Sequence, residues 1–286
     1  MSTYFHYKGE IFLTFFQAII LGIFQGITEF LPISSSGHLV VLQHFFGIRE
    51  GNLFFTEMLH FGTLISIFIV YFNDIIKIII EFFKMLGSGI KNKKFKVTNS
   101  YQKLALLIIV GSIPTAIIGI LLGDIFEKLY SSIIAISIAF IITGFLLWFV
   151  DRNAKENKRI KNVSYLDAII IGIFQGIAIT PGISRSGSTI AGGLFRGLNR
   201  KLATEFSFLL ALPATFGAAI LGIRDAVAAG GETQFTAPLV VGVVISAIVG
   251  VFAMKILMSL LENKKLHYFS YYLWVLGTIL LISQIF

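Results

Sequence analysis

Cysteine is absent from this 286-residue sequence, so neither a disulfide framework nor a thiolate metal site can be built from it. Charge is scarce as well. Only 13% of the residues are Asp, Glu, Lys or Arg, against 56% apolar residues and a mean hydropathy of +0.87, which excludes an ordinary soluble domain of this size. The apolar stretch that begins at Ile11 lacks a strong basic leader and a small-residue cleavage pattern. It does not read as a removable signal peptide, and the mature chain is expected to start at or near Met1. A formal charge of +8 would suit nucleic acid only if it formed one basic face on a folded domain; here the Lys and Arg residues sit between apolar runs, so no nucleic acid partner is expected.

What is present in abundance is apolar length. A bilayer core about 30 Å thick takes roughly 20 apolar residues as a helix. Six stretches meet that requirement, at about 54–72, 104–123, 131–150, 203–223, 237–258 and 268–285. Two further apolar regions, about 11–46 and 168–198, are interrupted by Gly, Pro and runs of Ser, and each reads as a pair of short helices that enter and leave on the same side. The expected architecture is an all-α polytopic membrane protein, one integral membrane domain over 1–286, with six full transmembrane helices and two re-entrant helical hairpins.

Most of the 23 basic residues fall in four places. The stretch 73–103 holds Lys77, Lys84, Lys91, Lys93, Lys94, Lys96 and Lys103, and 151–167 holds Arg152, Lys155, Lys158, Arg159 and Lys161. Arg196, Arg200 and Lys201 form the third cluster, and Lys264 with Lys265 the fourth. Cytoplasmic loops carry an excess of Lys and Arg. Six spans starting outside put all four clusters inside and leave 124–130, 224–236 and the C-terminus outside.

The chain also repeats itself. At an offset of 150 residues, Ala18 to Ile27 matches Ala168 to Ile177 at nine of ten positions, and Ile33-Ser34-x-Ser36-Gly37 matches Ile183-Ser184-x-Ser186-Gly187. Three spans separate the two copies, so the second copy enters the bilayer from the opposite face. That is an inverted-topology repeat, about 11–123 and 161–260, of a kind whose functional site lies where broken helices meet. The bland alternative is a bundle whose Gly and Ser residues only permit close helix packing.

The breaks hold the polar residues. Between Gln25 and His38 stand Glu29, Ser34, Ser35, Ser36 and Gly37, a carboxylate, three hydroxyls and an imidazole in an apolar region where such groups are costly. Gln25 and Glu29 are four apart on one helix face and can point together at a metal ion or a ligand. His38 can take a proton from a hydroxyl or itself attack phosphorus. The second break, with Ser184, Arg185, Ser186, Gly187, Ser188 and Thr189, carries the one arginine far from a predicted membrane edge. Its forked guanidinium suits phosphate oxygens, with the amides of the half-helix that follows adding to anion binding. A structural Arg185–Glu29 ion pair is the plainer reading. Glu57 begins the next span and is a weaker candidate for the same cavity; Glu205, His44 and His60 read as solvated, packing or interface residues.

At these residues the chain resembles, over its whole length, the bacterial undecaprenyl-diphosphate phosphatase family of the bacitracin-resistance type. Gln25 to His38 matches the family pattern Glu/Gln-x-x-x-Glu followed by Phe-Leu-Pro-hydrophobic-Ser-Ser-Ser/Thr-Gly-His, and Pro181 to Thr189 matches Pro-Gly-x-Ser-Arg-Ser-Gly-x-Thr. The resemblance implies hydrolysis of the C55 isoprenoid diphosphate lipid to its monophosphate at the outer face of the bacterial cytoplasmic (inner) membrane, recycling the carrier for peptidoglycan. It implies a divalent cation, Mg2+ or Ca2+, linked to Gln25 and Glu29 with Glu57 as a further candidate ligand. It makes Ser35 and His38 the nucleophile and base candidates and Arg185 the diphosphate clamp. Ser34, Ser36, Gly37, Ser184, Ser186, Gly187, Ser188 and Thr189 fall to substrate binding, and there is room for a homodimer. The departure is Gln25 at the first acid position, which can coordinate but cannot act as a base.

Three other readings compete, one of them a non-enzymatic structural membrane protein, which leaves Arg185 and the doubled motif unexplained. A transporter or flippase of a prenyl phosphate or other anion would use an inverted repeat with an Arg/Ser site but would not need His38 beside Ser35. The other large group of membrane lipid phosphatases requires Lys-x6-Arg-Pro and a His six residues after its Arg; here no Arg precedes a Pro, and the residue six beyond Arg185 is Ala191.

Overall fold

In a lipid solvent every backbone N–H and C=O must be satisfied within the chain, and a sequence this apolar meets that demand with helices. The computed structural model describes residues 14–48, 53–228, 236–262 and 265–285, and among them the regular structure is helical, with one isolated bridge between Lys158 and Leu198. In chain order the helices are α1 (Phe15–Phe30), α2 (Ser35–Phe45), α3 (Leu53–Val70), α4 (Phe72–Asn92), α5 (Ser100–Tyr130), α6 (Ile133–Asn153), α7 (Tyr165–Ile177), α8 (Arg185–Phe195), α9 (Arg200–Ala228), α10 (Ala237–Glu262) and α11 (His267–Ile282). All six predicted spans fall on helices. Four of these, α5, α6, α9 and α10, are long and apolar enough to cross a membrane by themselves. The span expected at 268–285 is the shorter helix α11, with Phe286 outside the described residues.

The stretch 73–103, expected as a loop, contains α4, which continues from α3 after an 81° bend. Its pattern explains why. Ile75, Ile78, Met85 and Gly89 are buried, whereas Phe72, Ile76, Ile79, Ile80 and Phe83 keep an exposed apolar face. Lys77, Lys84 and Lys91 recur every seven residues beside it. An apolar stripe flanked by lysines is the composition of a helix at a membrane interface rather than a spanning one. The connection expected at 124–130 is likewise the last two turns or so of α5.

The two broken regions are built alike. Thr14 and Ser164, 150 residues apart, each cap the first helix of a pair with a capping box, closed by Gln17 and Asp167. Ser34 and Ser184 cap the second helices, accepting from the N–H groups of Gly37 and Gly187. Between the pairs lie Leu31–Ser34, where Ser34 itself has φ 68°, and 178–184, where Gly182 has φ 90°. Pro32 and Pro181 sit inside these breaks, where a helix cannot continue.

The pairs then interlock with each other's half of the chain. α1 packs on α10, and α7 packs on α5. Glycines allow both approaches: a Cβ on Gly22 would stand 2.7 Å from the Gly242 carbonyl oxygen, and one on Gly172 would collide with that of Gly111. Close backbone approach over small residues is how helices associate where lipid tails remove the hydrophobic drive.

Members of the first three basic clusters meet on one face. Lys103 donates to the Lys161 carbonyl, Lys158 and Arg196 both bind Asp167, Arg200 binds Asp151 and Glu156, and Asp151 also takes His267. Lys264 lies outside the described residues.

Candidate active site

The two helix breaks meet. Ser186 Oγ donates to the Leu31 carbonyl at 3.3 Å, and a Cβ on Gly37 would come 3.1 Å from Gly182 Cα. Glu29, in the last turn of α1, is thereby brought to Arg185, the first residue of α8, and they form an ion pair through Glu29 Oε1 and Arg185 Nη2. Arg185 Nη1 donates to Thr215 Oγ1 of α9 at 2.5 Å. The other Glu29 oxygen, Oε2, accepts from Ser35 Oγ at 2.5 Å and from Gln25 Nε2 at 3.0 Å. His60 Nε2, from α3, stands 3.4 Å from that same oxygen and 3.5 Å from Ser35 Oγ.

Glu29 is 5% exposed, so this carboxylate depends on its donors. Arg185 has five N–H groups, and two contacts do not exhaust them. Its side chain is 23% exposed, toward a cavity of about 390 Å³. Glu29, Ser35, Ser36, Glu57, His60, Ser184 and Arg185 line that cavity, together with Tyr130, Glu127 and an apolar wall that includes Phe126, Ile179 and Ala218. The N-termini of α2 and α8 open on it at Ser35 and Arg185, adding the positive ends of two helix dipoles.

The residues named from sequence divide into two groups. Glu29, Ser35, Ser36, Glu57, Ser184 and Arg185 share the cavity. His38 does not line it: its Nδ1 donates to the Ser34 carbonyl at 2.7 Å, its Nε2 pairs with the Tyr272 hydroxyl at 2.6 Å, and its ring stacks on Tyr272. Both nitrogens are engaged, and His38 is buried. Ser34 caps α2, and Gly37 makes room for Phe140. Ser186 bonds the Leu31 carbonyl, Gly187 packs on Pro32, Ser188 is buried, and Thr189 turns to Ser207 at 2.5 Å. These residues shape the junction rather than its wall. Glu205 lines a different cavity, with Tyr71, Asp74 and Arg200.

Two side chains in the cluster are not among the site residues expected from the sequence: His60, which reads there as a packing or interface residue, and Thr215. His60 belongs to a stripe of Thr56, Glu57, His60 and Thr63 on an otherwise apolar helix, a spacing of three and four that was there to be noticed. Thr215, two residues past Pro213 in α9, carried no local signal.

A divalent cation does not fit between Gln25 and Glu29 as they stand. Each Glu29 oxygen already accepts from protein donors, and Gln25 turns its amide nitrogen toward them, donating to Glu29 and to Thr63 Oγ1. Gln25 Oε1 is buried without a partner, which by itself would invite a cation; but Gln175 Oε1, at the equivalent place in the second half where Ile179 replaces the acid, is orphaned in the same way. The orphan oxygen follows from the repeated packing. Among the described residues no group of three His, Asp or Glu side chains is arranged to hold a metal ion.

The profile of the family described as bacitracin resistance protein BacA matches residues 18–279. The chain belongs to this family. Curated relatives in the BacA family named undecaprenyl-diphosphatase align along nearly the entire sequence. That of Alkaliphilus metalliredigens is 49% identical over 275 residues, 96% of this chain and all of the relative. Those of Carboxydothermus hydrogenoformans and Halothermothrix orenii are 44% and 43% identical, over 94% and 93% of this chain and 97% of each relative.

Proposed function

We propose that this chain is the membrane phosphatase that hydrolyses undecaprenyl diphosphate to undecaprenyl phosphate and phosphate, recycling the lipid carrier for peptidoglycan and conferring bacitracin resistance. It is a hydrolase of a phosphoric anhydride. The observation that carries this reading is the junction of the two breaks: a serine hydroxyl bonded to a carboxylate, beside an arginine with N–H groups to spare, on the wall of one cavity.

Ser35 is the nucleophile in this reading. Its hydroxyl already donates to Glu29, which takes the proton as Oγ attacks the distal phosphorus. Arg185 and the amides at the starts of α2 and α8 would face the charge that develops on the transferred phosphoryl group. Support for Ser35 over His38 is positional, since His38 is held by Ser34 and Tyr272 away from the cavity wall. The substrate diphosphate occupies the polar end of the cavity and the prenyl chain its apolar wall.

The finer topology belongs here too: six spans and two re-entrant hairpins, α1–α2 and α7–α8, related as an inverted repeat. The shared caps and reciprocal packing of α1 on α10 and α7 on α5 support it. So does the segregation of charge. The cavity is lined by Phe126, Glu127 and Tyr130 at the end of α5, while Lys103, at its beginning, joins the basic face. With that basic face inside, the site opens outward.

The test is phosphate release from a C15 or C55 prenyl diphosphate by detergent-purified protein, with and without Mg2+ or Ca2+. Activity lost in both Ser35→Ala and Arg185→Ala is the expected result. Absence of release by folded wild-type protein that binds the lipid would favour transport of the prenyl phosphate instead.

A further inference from the structure

Hydrolysis through a phosphorylated serine needs two deprotonations, one of Ser35 and one of the water that clears it. Glu29 can serve the first. It is badly placed for the second, because its two oxygens are shared among Arg185, Ser35 and Gln25 and the residue is almost wholly buried.

His60 has what Glu29 lacks. Its Nδ1 lies 2.8 Å from the Thr56 carbonyl oxygen, which only accepts, so Nδ1 carries a hydrogen and the neutral ring keeps its lone pair on Nε2. Nε2 stands 3.5 Å from Ser35 Oγ, and the side chain is 25% exposed on the cavity wall. It borders both the oxygen that would carry phosphorus and the open space from which water arrives. His38, the other histidine of this region, has its Nε2 occupied by Tyr272.

We infer that His60 is the base of the hydrolytic half-reaction, an inference that rests on Ser35 being the nucleophile. In the first half the Ser35 proton passes to Glu29, Oγ bonds to the distal phosphorus, and the anhydride P–O bond breaks to release prenyl monophosphate. In the second half water gives a proton to His60 Nε2 as its oxygen bonds to phosphorus; the P–Oγ bond breaks and Glu29 returns its proton to Oγ. Phosphate leaves, and the imidazolium loses its proton to solvent through the cavity.

The experiment is rapid-quench kinetics of the purified full chain with a C15 prenyl diphosphate, following prenyl monophosphate and inorganic phosphate separately, with the intact mass of the quenched protein. In His60→Gln, kcat falls by about 10²- to 10⁴-fold, the range for loss of a general base. KM falls with it, so that kcat/KM is nearly kept. One prenyl monophosphate per site is released in a burst, and a phosphoryl group accumulates on Ser35. Added imidazole restores turnover to His60→Ala. Loss of the burst together with turnover in a folded His60→Gln protein, unchanged kcat, or a rise in KM alone would each overturn the assignment. Ser35→Ala tests the underlying reading separately: it should show neither burst nor turnover, and a burst surviving there would remove the serine intermediate whatever His60 does.

Discussion

Glu29 and Arg185 are 156 residues apart in the chain and joined in an ion pair at the junction of the two helix breaks. The pair was the plain structural reading of Arg185, and phosphate binding the functional one; the geometry accommodates both. The same guanidinium holds Glu29 against α8 and faces the cavity with its remaining N–H groups.

Breaking that pair should cost stability as well as activity. Removing one member leaves a buried charge alone, at about 3–5 kcal/mol, whereas replacing both with apolar residues of similar size is often close to neutral. Arg185→Met and Glu29→Met are each expected to lower the thermal midpoint of the detergent-solubilised protein. The double variant should recover most of that loss and none of the phosphate release. A double variant as unstable as the singles would mean that the pair is not coupled.

Thr215 orients Arg185. A hydrogen bond to a charged group contributes about 1.5–3 kcal/mol, so Thr215→Val should reduce kcat/KM by about 10- to 100-fold while Thr215→Ser retains it. Equal effects of the two substitutions would point to packing against α9 instead of the bond.

Glycine at 172 is required by contact, not by backbone conformation. A side chain there meets the Gly111 carbonyl, so Gly172→Ala should destabilise the protein by about 1–3 kcal/mol or more through separation of α5 and α7. Gly87, inside α4 with nothing within 4 Å of its missing Cβ, gives the opposite sign: Gly87→Ala should stabilise by about 1 kcal/mol. Thermal midpoints of the two variants in one detergent decide this.

The lack of cysteine makes sidedness measurable without a prior substitution. Lys94→Cys, in the first basic cluster, and Lys128→Cys, next to the cavity-lining Glu127, are both at exposed positions. A membrane-impermeant maleimide added to intact cells should label Lys128→Cys and spare Lys94→Cys until the membrane is opened. The reverse pattern would invert the proposed orientation.

Much was legible before any coordinates. Composition determined the membrane class, because 56% apolar residues with 13% charged ones can be solvated by nothing else. Pro, Gly and Ser marked both breaks, since a helix cannot run through Leu31–Ser34 or 178–184. Self-comparison found the repeat, and the polar residues inside its breaks, Glu29, Ser35, His38 and Arg185, were the site candidates. These are local properties, carried by a few adjacent residues. What the tertiary structure decided is how each helix is turned about its axis. In water an apolar stripe reveals the inner face; in lipid both faces are apolar, and hydropathy no longer distinguishes them. That is why His38, beside the serines in sequence, turns to Tyr272, while His60, 25 residues from Ser35, reaches it, and why Thr215 had no signal at all. The 73–103 stretch reads as a loop for a related reason: its lysines register as charge, whereas the buried Ile75, Ile78, Met85 and Gly89 that hold α4 in place show only in the fold.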